Sequence, residues 1–176
     1  IAVRLNTVAT PELIRELKAD HVIVATGGVR PKPSIPGGDL PNVQTGDTMR
    51  DMMLGTATAE EAGFFLATVG KLGRFSGLTK SPTIVREATK IFLPVGKHVT
   101  VIGGSLVGLE LSEFLAERGK NVTLLHEEQQ LGLPLAMPRR WTAVKDAAHH
   151  GVDIHRNVTV TRITKDSVEY TEGDEK

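Results

Sequence analysis

Residues 99–128, VTVIGGSLVGLELSEFLAERGKNVTLLHEE, constrain the fold more than any other part of this 176-residue chain. Residues 99–102 are short and apolar, as a strand covered by helices should be. Gly103 and Gly104 permit a tight turn in torsions that side chains resist. Leu106, Val107, Leu109, Leu111, Phe114 and Leu115 then give a helix a broad apolar face, with Glu113, Glu117, Arg118 and Lys120 left for water. Gly108 falls on the first turn of that helix, where the lack of a side chain lets helix and strand approach. Gly119 stands where a helix C-cap glycine belongs. Val122 to Leu125 read as a second strand, and His126, Glu127 and Glu128 come next at its carboxyl end.

Strand, glycine turn, helix, strand and acid, in that order, form the first βαβ unit of a dinucleotide-binding fold. Backbone N–H groups at a helix N-terminus carry partial positive charge and suit a pyrophosphate. Glu127 lies 24 positions after Gly103, close to the spacing at which an acid accepts hydrogen bonds from the adenosine ribose hydroxyls. One position departs from the G-x-G-x-x-G pattern: its second glycine is Ser105. The hydroxymethyl group either sets the phosphates back or donates a hydrogen bond to one. Alternatively the chain keeps the scaffold and has lost the phosphate site. The two acids after His126 tilt the reading toward NAD(H), and NADP(H) stays open because a cationic histidine comes first.

Upstream, residues 21–28 (HVIVATGG) repeat the theme of a short apolar strand running into a small-residue turn. Pro31, Pro33 and Pro36 then force an extended connector that ends in Gly37-Gly38. Read alone, such a strand fits many α/β proteins.

Together, "DHVIVATGGVRPKPSIPG" and "HVTVIGGSLVGLELSEFLAERGKNVTLLHEE" resemble two segments of two-dinucleotide flavoproteins: the strand that closes the flavin domain and the start of the NAD(P)H domain. With "VRLNTVATPELIRELKAD", "LPNVQTGDTM" and "HHGVDIHRNVTVTRI", the chain is most similar to the C-terminal half of the NADH:flavin oxidoreductases. These are the large members of the old yellow enzyme class, including 2,4-dienoyl-CoA reductases, 2-enoate reductases and trimethylamine dehydrogenase. The resemblance covers residues 1–48 and about 95–172. It implies a parent protein with an FMN barrel, an iron–sulfur cluster, an FAD domain and an inserted NAD(P)H domain. It also implies that Gly103, Gly104, Gly108 and Glu127 lie near the adenosine diphosphate of a nicotinamide cofactor. Glu110 matches a family position that faces the nicotinamide–flavin region, and Thr26 and Gly27 match the turn that passes the flavin.

The departures bound the expectation. No first glycine fingerprint precedes residues 21–28, and the chain holds no cysteine for a cluster or a redox disulfide. The chain reads as a piece that binds a nicotinamide dinucleotide, does not complete an FAD site, is inactive alone and works with the remaining domains of a parent flavoprotein. The division expected is 1–48 for the closing segment and connector, 49–94 for a helical insertion and 95–176 for the NAD(P)-binding domain, with one compact domain as the alternative. The insertion, with helices near Ala59–Val69 and Pro82–Phe92 around a glycine-rich break at Gly70–Gly77, is either a lid or a linker across the sheet edge.

Charge balances, with 21 basic and 21 acidic residues, which gives no footprint for nucleic acid or an anionic membrane. With no membrane-length apolar run and no signal peptide, a cytoplasmic protein is expected. Residues 11–18 read as a short helix opened by Pro11, with Leu13, Ile14 and Leu17 inward. Pro138 opens another, with Trp141, Val144, Ala147 and Ala148 inward and Gly151 ending it. Strands at 152–155, 158–164 and 167–171 come after it, the last two as a hairpin over Lys165-Asp166. Arg139 and Arg140 are either a phosphate contact or a solvated helix face. His149, His150 and His155 lack an evident fourth ligand, so no metal centre is expected. Ser105 lacks the flanking glycines of a nucleophile elbow, and no catalytic acid, base or nucleophile is assigned.

The expected architecture is an α/β, three-layer, Rossmann-like dinucleotide-binding fold, mainly parallel with a small antiparallel hairpin. The expected cofactor-binding set is Gly103, Gly104, Ser105, Leu106, Val107, Gly108, Glu110, His126, Glu127, Thr26 and Gly27. The competing expectation is a non-catalytic domain that holds ADP or serves only structure.

Overall fold

A computed structural model describes residues 1–28, 32–54, 82–93 and 95–173. In chain order the elements are α1 (Pro11–Glu16), α2 (Gly46–Leu54), α3 (Pro82–Ile91), β1 (His98–Ile102), α4 (Leu106–Ala116), β2 (Asn121–Leu125), α5 (Arg139–His149), β3 (Asp153–His155), β4 (Val158–Ile163) and β5 (Val168–Glu172). The expected helix at Ala59–Val69 and the break at Gly70–Gly77 lie outside the described residues.

β1, β2 and β3 form a parallel sheet in that order, with Val101 opposite Leu124 and Leu125 opposite His155. Parallel neighbours need crossovers, and α4 and α5 supply them. One face of the sheet carries Val101, Val122 and Leu124, which meet Leu109 and Leu115 of α4, Ala147 of α5, and Leu93, Leu131 and Val152 in one core cluster. Leu109, Leu115 and Leu124 are fully buried, each contributing roughly 1.5–3 kcal/mol by leaving water. Ser112 is the buried polar residue of α4, and its Oγ donates to the Gly108 carbonyl at 2.7 Å, so its burial leaves no orphan.

Helix α4 ends as the sequence indicates. Gly119 takes φ +71° and its N–H donates to Ala116 O at 2.9 Å. The nearly buried Arg118 side chain lies 3.5 Å over the Phe114 ring and donates from Nε to Thr89 Oγ1 at 3.2 Å, tying α3 to α4. β4 and β5 pair antiparallel with an irregularity between Val160 and Arg162. The connector after residue 31 packs on this hairpin: Ile163 N donates to Pro36 O at 2.8 Å, and Asn42 Nδ2 donates to Thr164 O at 2.9 Å. Gly37 is required there, since a Cβ would run into the Ile163 carbonyl.

The structure is a mixed α/β, Rossmann-like fold with a parallel sheet and a small antiparallel hairpin. Several local expectations need correction. Residues 21–28 form no strand, and Ile23 and Val24 stand 90% and 79% exposed, because no described strand pairs with them. α1 has its cap, with Leu13 N donating to Thr10 Oγ1, but it buries no residue and Leu17 is exposed. On α5, Ala147 is fully buried as expected, whereas Trp141 is 67% exposed and Ala148 is also exposed. The apolar stripe of α5 is therefore narrower than its sequence suggests. No helix among the described residues is long and apolar enough to cross a membrane.

Candidate cofactor-binding site

The glycine turn sits where β1 ends and α4 begins, at the carboxyl edge of the parallel sheet. Its geometry comes from three different demands on three glycines. Gly103 takes φ +103°, a conformation that favours glycine, and its N–H extends the ladder by donating to Leu125 O at 2.8 Å. A Cβ on Gly103 would meet nothing within 4 Å, so this side of the turn is open. Gly108 is needed for close approach, because a Cβ there would collide with the Gly103 carbonyl. Gly104 is needed for packing, because a Cβ would overlap Leu131 and come within 3.0 Å of the His126 ring.

Ser105 is the N-cap of α4, with φ −66° and extended ψ −179°. Those torsions suit any residue, so glycine is not required here by backbone conformation. The Ser105 side chain is exposed and makes no capping hydrogen bond. The first intrahelical bond runs from Leu109 N to Ser105 O at 3.0 Å. The N–H groups of Leu106, Val107 and Gly108 thus belong to the helix opening, where an α-helix has no internal acceptors to offer. Val107 is 50% exposed, which leaves this end reachable from solvent. The arrangement can hold an anion: a helix N-terminus, a hydroxyl free of local duties and a turn with one open side.

The strand-end residues divide. His126 turns its ring to the glycine turn, where its Nδ1 accepts from Gly104 N–H at 3.1 Å, and its backbone joins β2 to β3 through His155 O at 2.9 Å. Glu127 and Glu128 stand exposed beyond it. Gly132 N–H donates to Gly104 O at 2.7 Å, so the loop after His126 braces the turn from its flank.

Glu110 is exposed on α4, just past its first turn, and pairs with Arg139 Nη2 at 3.6 Å. Arg140 reaches Gln130 Oε1 at 3.5 Å. Thr26 and Gly27 lie in the exposed stretch 21–28, and neither takes part in the hydrogen bonds that tie the glycine turn. The structure therefore joins Gly103, Gly104, Ser105, Leu106, Val107, Gly108 and His126 in one place, with Glu127 next to them. Gly132 and Leu131 are contributors that sequence reasoning missed. Gly132 has φ +75° and the only local signal for it is the glycine itself.

His150 collects at a second place, away from the turn. Its Nδ1 lies 3.7 Å from Glu113 Oε1 and its Nε2 3.9 Å from Glu117 Oε1, with Nδ1 also 2.8 Å from the Asp146 carbonyl. Partial burial raises the Glu113 carboxyl above its ordinary range, and the neighbouring carboxylates of Asp146 and Glu117 push the same way while His150 opposes them. A shallow cleft of about 520 Å³ lies elsewhere again, between the connector at Pro36–Gly37 and β4.

Comparisons with known proteins place the chain in a family. A family model described as pyridine nucleotide-disulphide oxidoreductase matches residues 3–176. An NADH oxidase of Thermoanaerobacter brockii is 24% identical over 166 residues, which cover 93% of this chain and 20% of that protein. The solved structure of a 2-naphthoyl-CoA reductase in complex with 2-naphthoyl-CoA superposes with a TM-score of 0.59 at 23% identity, over 96% of this chain and 20% of that one. The chain spans about a fifth of the length of each. With a family model matching from residue 3 to its last residue, the chain belongs to the pyridine nucleotide-disulphide oxidoreductase family.

Proposed function

We propose that this chain is the NAD(P)H-binding portion of a flavin-dependent oxidoreductase and that it positions the nicotinamide for hydride transfer to a flavin. The parent protein is of the NADH:flavin oxidoreductase group within the old yellow enzyme class and works in the cytoplasm. The observation that carries the reading is the opening of α4: exposed Ser105 without a capping bond, beside a Gly103 whose Cα faces open space. That cradle fits a pyrophosphate. Gly103, Ser105, Leu106, Val107 and Gly108 would hold it, and Glu127 would take the adenosine ribose hydroxyls. Glu110 and the turn at Thr26-Gly27 are assigned to the nicotinamide–flavin side by the family pattern. The name of the Thermoanaerobacter brockii relative, an NADH oxidase, supports the choice of donor.

The nicotinamide ring supplies the hydride when bound, and the chain's own task is binding and orientation. The 176 residues contain no cysteine, so the disulphide of the family's name and the thiolates of an iron–sulfur cluster are not supplied by them. FAD, FMN and the cluster are assigned to the remaining domains of the parent protein. The proposed division is 1–48, 49–94 and 95–176, with the connector of the first part resting on the hairpin of the last.

Ser105 favours one other reading, a non-catalytic domain that holds ADP or nothing, because its Cβ stands where the pyrophosphate would otherwise meet bare backbone. Calorimetric titration of NADH, NADPH and ADP into the chain and into Ser105→Gly separates the two. The proposal expects NADH binding by the unmodified chain, weakened by Glu127→Ala. Binding that emerges only in Ser105→Gly would establish the lost-site reading instead.

A further inference from the structure

His126 stands at the position where this fold places an acid, the first residue beyond β2, yet its ring points at the glycine turn. A backbone N–H can only donate, so the 3.1 Å contact from Gly104 N requires a lone pair on His126 Nδ1. The other ring nitrogen, Nε2, lies 3.2 Å from the Gln130 carbonyl, which can only accept. One protonation state satisfies both contacts, the neutral ring with its proton on Nε2. The other neutral tautomer opposes donor to donor at Gly104 and lone pair to lone pair at Gln130. The imidazolium keeps the Gln130 bond and sets its Nδ1–H against the Gly104 N–H.

We propose that His126, held as the Nε2–H tautomer, is a positioning residue of the dinucleotide site. It engages the Gly104 N–H, fixes the turn, and leaves phosphate recognition to the opening of α4 and ribose recognition to Glu127. This rests on the function proposed above. Three further contacts make the same bracket: Gly132 N–H on Gly104 O at 2.7 Å, Leu131 against the Gly104 Cα, and the His126 backbone N–H on His155 O at 2.9 Å. These contacts hold the turn in one hydrogen-bonded arrangement, and the Gly104 bond within it needs the lone pair on His126 Nδ1. The charged groups around the ring are Glu127 and Glu128 on its own loop, Arg140 of α5 through Gln130, and His155 at the end of β3, itself 3.0 Å from Asp153 Oδ2. Among the described residues the ring nitrogens meet Gly104 N–H and the Gln130 carbonyl rather than a carboxylate.

The test has two arms on the 176-residue chain. Long-range ¹⁵N–¹H correlation of the His126 ring at about pH 8 reads the tautomer directly, with no ligand. The expected pattern is a proton on Nε2 and an acceptor Nδ1, and a proton on Nδ1 would overturn the proposal. The second arm measures NADH affinity for the unmodified chain, His126→Asn and His126→Leu at about pH 8, with thermal melts to verify folding. Asn places its Oδ1 where Nδ1 stood and can accept from Gly104 N–H. It should stay within about threefold of the unmodified chain, while Leu weakens binding about tenfold. Equal affinity for Leu and the unmodified chain, or His126→Asn as weak as His126→Leu, would overturn the proposal. Absence of NADH binding by the unmodified chain with the Nε2–H pattern intact would sink the proposed function and leave the hold on the turn standing.

Discussion

Two segments of this chain share a sequence pattern and differ in structure. Residues 21–28 read HVIVATGG and residues 98–105 read HVTVIGGS. The second is a paired strand whose Val101 is 8% exposed, and the first has no regular structure, with Ile23 at 90%. The difference lies in the residues downstream of each. Residues 106–125 carry their own partners: α4, with Leu109 and Leu115 facing the sheet, and β2, pairing from His98↔Asn121 to Ile102↔Leu125. After residues 21–28 comes a proline-rich connector that returns to the β4–β5 hairpin through Pro36 and Asn42 and brings no described strand alongside. β propensity is thus a fitness for a pleated, half-buried surface, realised only where a neighbouring strand supplies one.

The sharpest way to break this comparison is to add a side chain at one glycine of each region. Gly108→Val should destabilise the chain by about 3 kcal/mol or more, since the Cβ meets backbone that cannot step aside. Gly28→Ala should change stability by less than about 0.5 kcal/mol, since nothing lies within 4 Å of its Cβ. Urea denaturation monitored by circular dichroism reads both, and a costly Gly28 variant would show that the first segment is packed.

Truncation of the apolar side chains comes next. Leu124→Ala should cost about 2 to about 4 kcal/mol as a buried cavity, whereas Ile23→Ala should fall within about 0.5 kcal/mol. Comparable costs at the two sites would contradict the assignment of the core to one face of the β1–β2–β3 sheet.

A smaller effect concerns α4 and α5. The Glu113 carboxyl is raised mainly by burial, so the folded state holds its proton more tightly than the unfolded chain does. Stability is therefore lost as pH climbs from the ordinary carboxylate range through the raised value, and Glu113→Gln escapes that loss. The variant should gain up to about 0.5 kcal/mol near pH 8, and less near pH 5, where the carboxyl is nearer protonation. Thermal melts across that range give the sign.

The site was more legible than its surroundings for a physical reason. From Val99 to Leu125 most local preferences agree with the tertiary role: apolar residues on the strands, an apolar face on α4 and glycine at both turns, with the exposed Ile102 and Val107 as exceptions. Gly108 was readable because its reason, close approach to β1, recurs wherever this unit forms. Trp141 and Ala148 were misread as inward because α5 buries only a narrow stripe around Ala147, and periodicity alone does not set the width of the buried face. The ring of His126 on Gly104 spans 22 positions and left no local signal. The same holds for Ile163 N–H on Pro36 O, which joins segments that the sequence presents as separate.

The central claim is that one of the two glycine-ended segments holds a dinucleotide by itself and the other does not. Titration of NADH into uniformly ¹⁵N-labelled chain, read out through amide chemical shifts, tests it directly. The prediction is saturable shifts at Gly103, Ser105, Leu106, Val107 and Gly108, larger than any at Thr26, Gly27 and Gly28. Shifts that concentrate at Thr26–Gly28, or saturating amounts of NADH that leave the amides of residues 103–108 in place, would contradict it.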